Sequence, residues 1–341
     1  MAERITTLTL MERIPDEASA WEYLEDLRWD GKPMCPHCGN EDRCYFLTPQ
    51  APRTTSTGAV TVRRLWKCAE CRQKFSATTG TIMHGSKIPI RTWIMVIFEM
   101  ASNKNGTAAR EVQRRYGLTA KSAWFLVHRI REAMKDDGLD LLGGEGHVIV
   151  ADETVIGGSL PSMNKKTRAR AEAPERVVPG TPHGAGPAFN KTSVLSLIDT
   201  DTGQVRSRIV PDVTGASLRK AIADQVRMSR STLHTDESKS YLAVGSEFAA
   251  HESVNHKQGV YARYTDEGVV TSNQAENFFS QLKRSIDGTH HHVSRKHLHR
   301  YLGEFDFRYS TRDESDTRRM RIVIDQAAGR RLTYRPLVAA V

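Results

Sequence analysis

The spacing of apolar residues predicts helices on either side of a helix-poor region within the first 134 residues. Apolar side chains recur every three or four positions in 16–30, 90–103 and 106–134, as in amphipathic helices. A Gly-Leu-Thr turn at 117–119 divides the last stretch into two helices. This pattern is typical of a helix-turn-helix that binds DNA, although a helical bundle without nucleic-acid contacts would show it too.

Beyond a glycine-rich break at 136–146, short apolar runs predict strands instead. The predicted elements are, in order, a strand ending at Asp152, two strands in 191–210, a helix at 214–228, a strand ending at Asp236 with a helix after it, a strand at 251–256 and a helix at 271–286. This order predicts a mixed α/β fold of the ribonuclease-H-like kind, a mixed sheet with helices on both faces. In that arrangement the first and fourth strands are neighbours.

The last predicted helix carries an acid and a base on one face. Glu276 and Lys283 lie seven residues apart in NQAENFFSQLKR, which is two turns or about 10 Å along a helix. Because the first and fourth strands are neighbours, Asp152 is expected beside Asp236, and this helix brings Glu276 to them. Three carboxylates can hold two Mg²⁺ or Mn²⁺ ions roughly 4 Å apart, an arrangement that cuts and joins phosphodiesters. Lys283 would then neutralise and position a phosphate.

Each of these residues also has an ordinary structural role open to it. The two aspartates could cap the turns that follow their strands. Glu276 could form an exposed ion pair, and Lys283 could be a solvated lysine. Asn277 competes with Glu276 for the third metal-binding position. The functional interpretation is favoured because one fold gathers all four residues in one place.

Cysteine spacing predicts a metal site in the helix-poor region. Four of the five cysteines form two CxxC pairs, Cys35 with Cys38 and Cys68 with Cys71. Two such pairs can supply four thiolates to one tetrahedral Zn²⁺, and the pairing indicates a reducing compartment rather than disulfides. Four buried free cysteines would not explain the paired spacing. His37 and Cys44 are substitute ligands, but Cys44 is better explained as a small core residue.

Charge and hydropathy indicate the kind of partner. The net charge of +9 and the isoelectric point of about 9.4 favour a polyanionic partner. The longest apolar run, 93–100, is too short to cross a membrane, and the N-terminus does not have the pattern of a secretory signal. We therefore expect a cytoplasmic, nucleoid-associated protein. The basic, Gly- and Pro-rich stretch 157–190 is expected to be a flexible insertion that orders on DNA, with plain disorder as the alternative.

Candidate DNA contacts come from two helices. In the second helix of the predicted helix-turn-helix, Lys121, Ser122, His128 and Arg129 are expected to be exposed and to contact DNA. Arg284, next to Lys283 in the later helix, is expected to help hold a phosphate.

Several motifs, in their order along the chain, resemble one known family over nearly the whole length. They are CPHCG, KCAECRQKFS, TGTIMHGSKIPIRTW, ADETVIGG, TDESKSY and NQAENFFSQLKRSIDGTHHHVSRKHLHRYLGEFDFRYSTR. The sequence is similar to the zinc-ribbon DDE transposases of bacterial insertion sequences, the ISXO-like group. The resemblance implies a ribonuclease-H-like core, Mg²⁺ dependence, and transposition of an element with inverted terminal repeats.

Carried onto this sequence, the resemblance marks Asp152, Asp236 and the Glu276 region as metal ligands, with Lys283 behind them. The third acid varies in the family, which keeps Asn277 in question. Many members have a tryptophan near the position of Phe279, which here is expected to pack.

Further family features lie near the end of the last motif. Glu304, Arg308 and Arg312 fall at helical spacing, and we expect an ion-pair ladder for the first two and leave Arg312 open. The consecutive histidines 290–292 are expected to form a loop near the phosphate rather than a metal cluster.

The sequence thus predicts a transposase that binds double-stranded DNA, both terminal inverted repeats and target, as a homodimer or higher assembly. The alternatives are a DNA-binding regulator with an inactive core and a nuclease that cuts without joining. The expected domains are an N-terminal helical segment (1–30), a zinc ribbon (31–85), a helix-turn-helix (86–137), the catalytic domain (145–310, with the insertion at 157–190) and a basic C-terminal tail (311–341).

Overall fold

The computed structural model describes residues 5–47, 53–54, 60–61, 64–138, 140–157, 191–254, 262–265 and 268–338. The chain divides into two compact units, one formed by Met1–Met134 with Asp313–Val341 and the other by Lys135–Arg312. The basic insertion expected at 157–190 lies, apart from Gly157, outside the described residues. The segment expected as a basic tail carries two helices and belongs to the first unit.

The helices are, in chain order, α1 (Thr7–Arg13), α2 (Glu17–Trp29), α3 (Ile90–Ser102), α4 (Ala109–Tyr116), α5 (Ala120–Met134), α6 (Gly215–Ala223), α7 (Leu242–Gly245), α8 (Asn273–Ser285), α9 (Arg295–Ser310), α10 (Asp316–Asp325) and α11 (Tyr334–Val338). The strands are β1 (Cys44–Leu47), β2 (Arg53–Thr54), β3 (Val60–Thr61), β4 (Leu65–Cys68), β5 (Lys74–Phe75), β6 (His147–Ile156), β7 (Thr192–Asp199), β8 (Val205–Val210), β9 (Ser231–Thr235), β10 (Ala250–Ser253), β11 (Ala262–Thr265) and β12 (Gly268–Thr271).

Helix α3 is the centre of the first unit. Its sequence, IRTWIMVIFEMAS, is apolar nearly all round, and helices α2 and α10 pack against it. Pro89 at its N-cap has no side chain that can cap the helix. The carboxylate of Glu17, at the start of α2, accepts the N–H groups of Ile90 and Arg91 at 2.7 and 3.1 Å instead. These bonds satisfy two of the helix's free donors and fix α2 to α3.

A three-stranded antiparallel sheet of order β1-β4-β5 forms the cysteine-rich part of the first unit. Glu25 attaches it to α2, because its buried carboxylate accepts hydrogen bonds from Trp66 Nε1 (3.0 Å) and Arg64 Nε (2.9 Å). Trp29 packs edge-on against Trp66 and Phe75 on the same side. Buried aromatic pairs of this kind stabilise a small sheet that has little core of its own.

The second unit is built on a five-stranded mixed sheet of order β10-β9-β6-β7-β8. Strand β6 pairs in parallel with β9 and antiparallel with β7, and β7 pairs antiparallel with β8. Every residue of β7 is buried, since helices cover both faces of the sheet. Helices α8 and α9 pack on one face, and α6 and α7 on the other. The predicted mixed α/β fold is confirmed, including the adjacency of the first and fourth strands.

Three local predictions for this unit differ from the structure. The strand expected to end at Asp152 continues to Ile156, because its pairing with β7 extends that far. The helix expected at 214–228 begins after the predicted cap Thr214 but ends at Ala223, because the chain turns to pair Val226 with Leu142. A hairpin, β11–β12, precedes α8 where no strands were expected. Tyr264 of this hairpin is 84% exposed although it is aromatic. The sequence there therefore lacks the clear alternation of apolar and polar residues that marks a half-buried strand.

A row of polar side chains crosses the otherwise apolar interface under α8 and α9. Asp152, Ser196 and Ser207 are cross-strand partners on β6, β7 and β8, so they share one face of the sheet. The Ser196 and Ser207 hydroxyls are 2.8 Å apart. Asp306 of α9 ends the row, accepting the Ser207 N–H at 2.8 Å and its hydroxyl at 2.7 Å. A buried carboxylate thus anchors α9 to the edge strand.

Burial of Asp306 predicts a pH-dependent stability. Burial raises the pKa of this carboxyl to about 7 from its ordinary 3.8. The folded state binds this proton more tightly than the unfolded state does. The contribution of the protonated carboxyl to the free energy of unfolding is therefore fully present below pH 3.8, falls as pH rises, and is lost once pH passes about 7. Asp306→Asn cannot lose a proton, so its stability relative to wild type should rise between pH 4 and pH 8, by up to about 4 kcal/mol.

This difference can be measured by hydrogen exchange of peptides from β7 and β8 in the full-length chain at several pH values. Asp287→Asn, at an exposed position of the same unit, is the matched control and should track wild type. A stability difference between Asp306→Asn and wild type that does not change with pH would contradict the prediction.

Candidate functional site

Four cysteines of the first unit converge on one point. The sulfur atoms of Cys35, Cys38, Cys68 and Cys71 all lie within 4.8 Å of one another. The Sγ atoms of Cys35 and Cys71 are 3.6 Å apart, and those of Cys38 and Cys68 are 3.7 Å apart. Thiolates bound tetrahedrally at about 2.3 Å from zinc lie roughly 3.8 Å from each other, so the cluster fits one Zn²⁺.

The backbone of each CxxC pair turns sharply to present its sulfurs. Gly39 and Arg72 follow the second cysteine of each pair and have φ angles of 74° and 60°. The Gly39 N–H donates to the Cys35 carbonyl at 2.8 Å, closing the first turn. Cys44 lies outside the cluster and its thiol donates to the Asn40 carbonyl, so it is not a substitute ligand. His37 is not in the cluster either.

A cleft in the second unit contains the predicted acids and the predicted lysine. Its volume is about 1060 Å³, and Asp152, Asp236, Glu276 and Lys283 all line it. The strand register explains why the two aspartates meet. Parallel pairing of β6 with β9 runs to Val150 opposite His234, and each aspartate lies two residues further along its own strand direction. Asp152, inside β6, and Asp236, one residue past the end of β9, therefore come to the same end of this strand pair, where both line the cleft.

Helix α8 contributes one face to this cleft. Glu276, Phe279, Ser280 and Lys283 line it, which is the i, i+3, i+4, i+7 pattern of a single helical face. Asn277 does not line the cleft, and its side-chain oxygen accepts a hydrogen bond from Gln281 at 3.1 Å. Between the two candidates for the third acidic position, the geometry places Glu276 at the cleft.

Arg284 does not line the cleft, but it contacts a residue that does. Its guanidinium lies 3.3 Å from Ser280 Oγ, and it is not among the lining residues. The next residue on a helix is rotated by about 100°, so neighbours in sequence do not share a face. That Arg284 helps Lys283 to hold a phosphate stays a prediction.

Acidic side chains outnumber basic ones in the cleft, with four carboxyl groups against the two lysines Lys191 and Lys283. Burial is the main cause that raises the pKa of Asp152 to about 7. The negative charges of Glu153, Asp236 and Glu276 act in the same direction. Oxygen donors of this kind suit Mg²⁺ or Mn²⁺, and a divalent cation would relieve the repulsion among them.

The spacing of the acids is wider than that of the cysteines. Within the described ranges, two groups have all their ligand atoms within 4.8 Å of one another, the four cysteines and the set of His147, Asp199 and Asp201. In the second set, Asp199 accepts the N–H groups of loop residues and a hydrogen bond from the His147 ring, so it serves to close a turn. The acids of the cleft are not drawn together in this way.

Several cleft residues were missed by the sequence argument. Glu153, Lys191, Thr214, Ser238 and Ser240 also line the cleft. The motifs ADET and TDESKSY contained the signal for some of them, because polar residues that directly follow each aspartate in the sequence stay close to it. Lys191 and Thr214 are remote in sequence from the acids, and only the folded sheet brings them there.

The structure does not expose all of the predicted DNA contacts on α5. Lys121 is exposed, with its ammonium 4.3 Å from the Tyr334 ring of α11, and Ser122 is half-buried at the start of the helix. His128 and Arg129 are buried, at 0% and 5% exposure. Arg129 donates to the His84 carbonyl at 2.7 Å. The second half of α5 is buried on nearly all sides, so the expectation that these two residues are exposed is wrong.

The remaining family features have structural roles. Glu304 and Arg308 form a buried ion pair within α9, as expected. Arg312 donates to the Gly203 carbonyl at 3.1 Å. The ring of His290 packs edge-on against Tyr301, within a π-helical turn at Ile286–His290. No metal-binding group among the described residues includes the histidines 290–292.

Comparison with known proteins agrees with this architecture. Residues 142–310 match the model of the ISXO2-like transposase domain, and residues 15–74 match the transposase zinc-ribbon domain. No helix in the described part of the chain has the length and apolar character needed to cross a membrane.

One curated relative and one solved structure are also similar. A protein of Halobacterium salinarum, described as an uncharacterized protein in transposable element ISH50, is 25% identical over 86% of this chain and 90% of its own length. A chain in a structure of the simian T-cell lymphotropic virus intasome, in complex with a PP2A regulatory subunit, is 14% identical. That alignment covers 57% of this chain and 63% of the other at a TM-score of 0.25, which is too low to bear on fold or function.

The two family models occupy the two parts of the chain that hold the cysteine cluster and the acidic cleft. Each model covers the residues that form the corresponding site, and their order along the chain matches the order of the motifs. This protein belongs to the zinc-ribbon, ISXO2-like transposase family of insertion sequences.

Proposed function

We propose that this protein catalyses metal-dependent cleavage of DNA at the ends of an insertion sequence and transfer of the cut strand to target DNA. The observation that carries the proposal is the cleft of the second unit. Acids from two strands and a helix, Asp152, Asp236 and Glu276, open onto it together with Lys283. No nucleophilic side chain is needed for this chemistry, because water and a DNA 3′-hydroxyl are the attacking groups.

Each residue of the site has a distinct task. Asp152, inside β6, and Asp236, one residue past the end of the neighbouring β9, would hold divalent ions, and Glu276 would complete the set from α8. Bound Mg²⁺ or Mn²⁺ would activate the attacking oxygen and stabilise the leaving one. Lys283, one helical turn beyond Phe279 on the same face, would bind a phosphate of the DNA strand and orient it.

DNA binding is assigned to the first unit. The zinc ribbon and the helix pair α4–α5 would recognise the terminal inverted repeats, with Lys121 as the exposed contact at the start of α5. The net charge of +9 supports binding to a polyanion. Joining two ends of one element to a target requires two catalytic sites, so we expect a dimer or higher assembly on DNA in the cytoplasm.

The test is a strand-transfer assay with the full-length protein. A labelled duplex carrying the terminal repeat that flanks the gene is mixed with a supercoiled plasmid, with Mg²⁺, Mn²⁺ or EDTA. The proposal expects cleaved ends and joined products only when a divalent ion is present. Binding without cleavage would support the inactive regulator, and cleavage without joined products would support a nuclease.

The same assay distinguishes the two candidates for the third acid. Glu276→Gln is expected to reduce cleavage by roughly 10²-fold or more, since it removes a ligand charge that is needed in the transition state. Asn277→Ala, one residue away and outside the cleft, should stay near wild type. The reverse ranking would transfer the role to Asn277.

A further inference from the structure

Glu153 lies in the same cleft as the three predicted acids and has no role in the proposed reaction so far. It follows Asp152 directly on β6 and is half-buried. Successive residues of a strand face opposite sides of a sheet. Asp152 and Glu153 can therefore border one cleft only where a neighbouring strand is missing on one side of β6. Pairing of β6 with β9 ends at Val150, whereas pairing with β7 continues to Ile156. Past Val150 this edge of β6 is open, and both side chains reach the cleft.

Tyr241 fixes the position of the Glu153 carboxylate. Its ring is fully buried in an apolar cluster with Leu218 and Val244, so packing leaves the ring little freedom. The Tyr241 hydroxyl donates to Glu153 Oε2. A buried tyrosine hydroxyl needs such a partner, and here the partner is a carboxylate that lines the cleft.

The segment between Asp236 and Tyr241 is itself well ordered by local bonds. Asp236 Oδ1 accepts the Ser238 N–H at 2.9 Å, and the Ser238 hydroxyl caps the short helix Lys239–Tyr241. One compact segment therefore carries an expected metal ligand at its start and the tyrosine that holds Glu153 at its end. Any shift of this segment would move both carboxylates together.

We propose that Glu153 is a fourth acidic residue of the metal site and that Tyr241 is the positioning residue that holds it there. Tyr241 holds one carboxylate oxygen, Oε2, and the carboxylate group borders the cleft, where it can meet an ion or an ion-bound water molecule. Four carboxylates also balance the four positive charges of two divalent ions. This inference rests on the proposed function, because it assigns a further residue to the same site.

The experiment measures Mn²⁺ binding to the zinc-loaded full-length protein without DNA, by electron paramagnetic resonance of free Mn²⁺. Mn²⁺ prefers oxygen ligands, so the cysteine cluster does not compete. Glu153→Gln should weaken Mn²⁺ binding by roughly 10–100-fold, and Tyr241→Phe by about tenfold, as for other residues that orient metal ligands. The double variant should bind Mn²⁺ no more weakly than Glu153→Gln, because Tyr241 acts only through Glu153.

Tyr309→Phe is the matched control, since it removes a phenol hydroxyl from the same unit but outside the cleft. If the tyrosine–glutamate bond only stabilised the fold, Tyr241→Phe would unfold more easily while Mn²⁺ affinity stayed at the wild-type value, and this result would overturn the proposal. If Tyr241→Phe does not fold, Glu153→Gln, which keeps the size of the side chain, still tests the role of Glu153, and wild-type Mn²⁺ affinity in that variant would overturn the proposal.

Asp152→Asn separates this inference from the proposed function. Loss of Mn²⁺ binding in Asp152→Asn with normal binding in Glu153→Gln would overturn the role of Glu153 and leave the proposed metal site standing. Normal binding in both variants would remove the metal site, and the proposed function and this inference would fail together.

Discussion

Asp152→Asn is expected to lower the rate of DNA strand cleavage by a factor of roughly 10³ or more, since losing a metal-ligand charge removes several kcal/mol of transition-state stabilisation. Asparagine keeps the shape of the side chain and can still accept the Glu153 N–H bond that Asp152 Oδ1 accepts at 2.7 Å. The fold should therefore survive, and only the charge that holds a divalent ion is lost. Single-turnover cleavage of a labelled terminal-repeat duplex measures the effect.

Binding of the same duplex, measured by fluorescence anisotropy, should stay at the wild-type level or tighten, because the variant removes a negative charge that repels the DNA backbone. Asp224→Asn is the matched control, an exposed acid of the same unit that lies outside the cleft. It should cleave like wild type. Wild-type cleavage by Asp152→Asn would show that this cleft is not where the reaction occurs.

Cys68→Ser is expected to release zinc and unfold the ribbon. Structural zinc contributes roughly 10–16 kcal/mol of folding free energy in zinc-finger peptides, and a hydroxyl does not replace a thiolate ligand. The three-stranded sheet has few buried side chains apart from its aromatic pairs, so it has little to hold it together without the ion. Metal analysis should show the zinc content fall from one ion per chain toward none, and limited proteolysis should cut between β1 and β5.

Cys44→Ser provides the control for this experiment. Cys44 is on β1, opposite Cys68 in the sheet register, but its sulfur is not part of the cluster. This variant should keep its zinc and its resistance to protease. Zinc retained by Cys68→Ser, or lost equally by Cys44→Ser, would contradict the assignment of the four ligands.

The parts of the fold that depend on local spacing were predictable from the sequence. The two CxxC pairs bring their sulfurs together because each turn is set within five residues. Asp152 and Asp236 could be placed side by side because each ends an apolar run, and strand order then determines their neighbours. Glu276 and Lys283 share a face through helical periodicity alone.

Features that depend on tertiary packing were not predictable in this way. The burial of His128 and Arg129 follows from how many elements surround α5, whereas their polar character indicated an exposed face. Tyr241 and Glu153 are 88 residues apart, and no spacing rule connects them. The helix α10 was not predicted as a core element, because its several arginines indicated a basic, exposed segment. Its apolar residues Met320, Val323 and Ile324 are nevertheless buried.

The two-part construction of the first unit has a consequence for the order in which the protein is completed on the ribosome. Helix α10 packs on α3, and the Gly329 N–H donates to the Gly80 carbonyl at 2.9 Å. The core of the first unit therefore needs residues that are synthesised more than 200 positions after α3. The second unit is one continuous segment and can fold while α10 is still being synthesised. A nascent chain therefore holds a complete acidic cleft before its zinc-ribbon unit is finished, and a premature stop before residue 316 would leave the buried face of α3 open to chaperones and proteases.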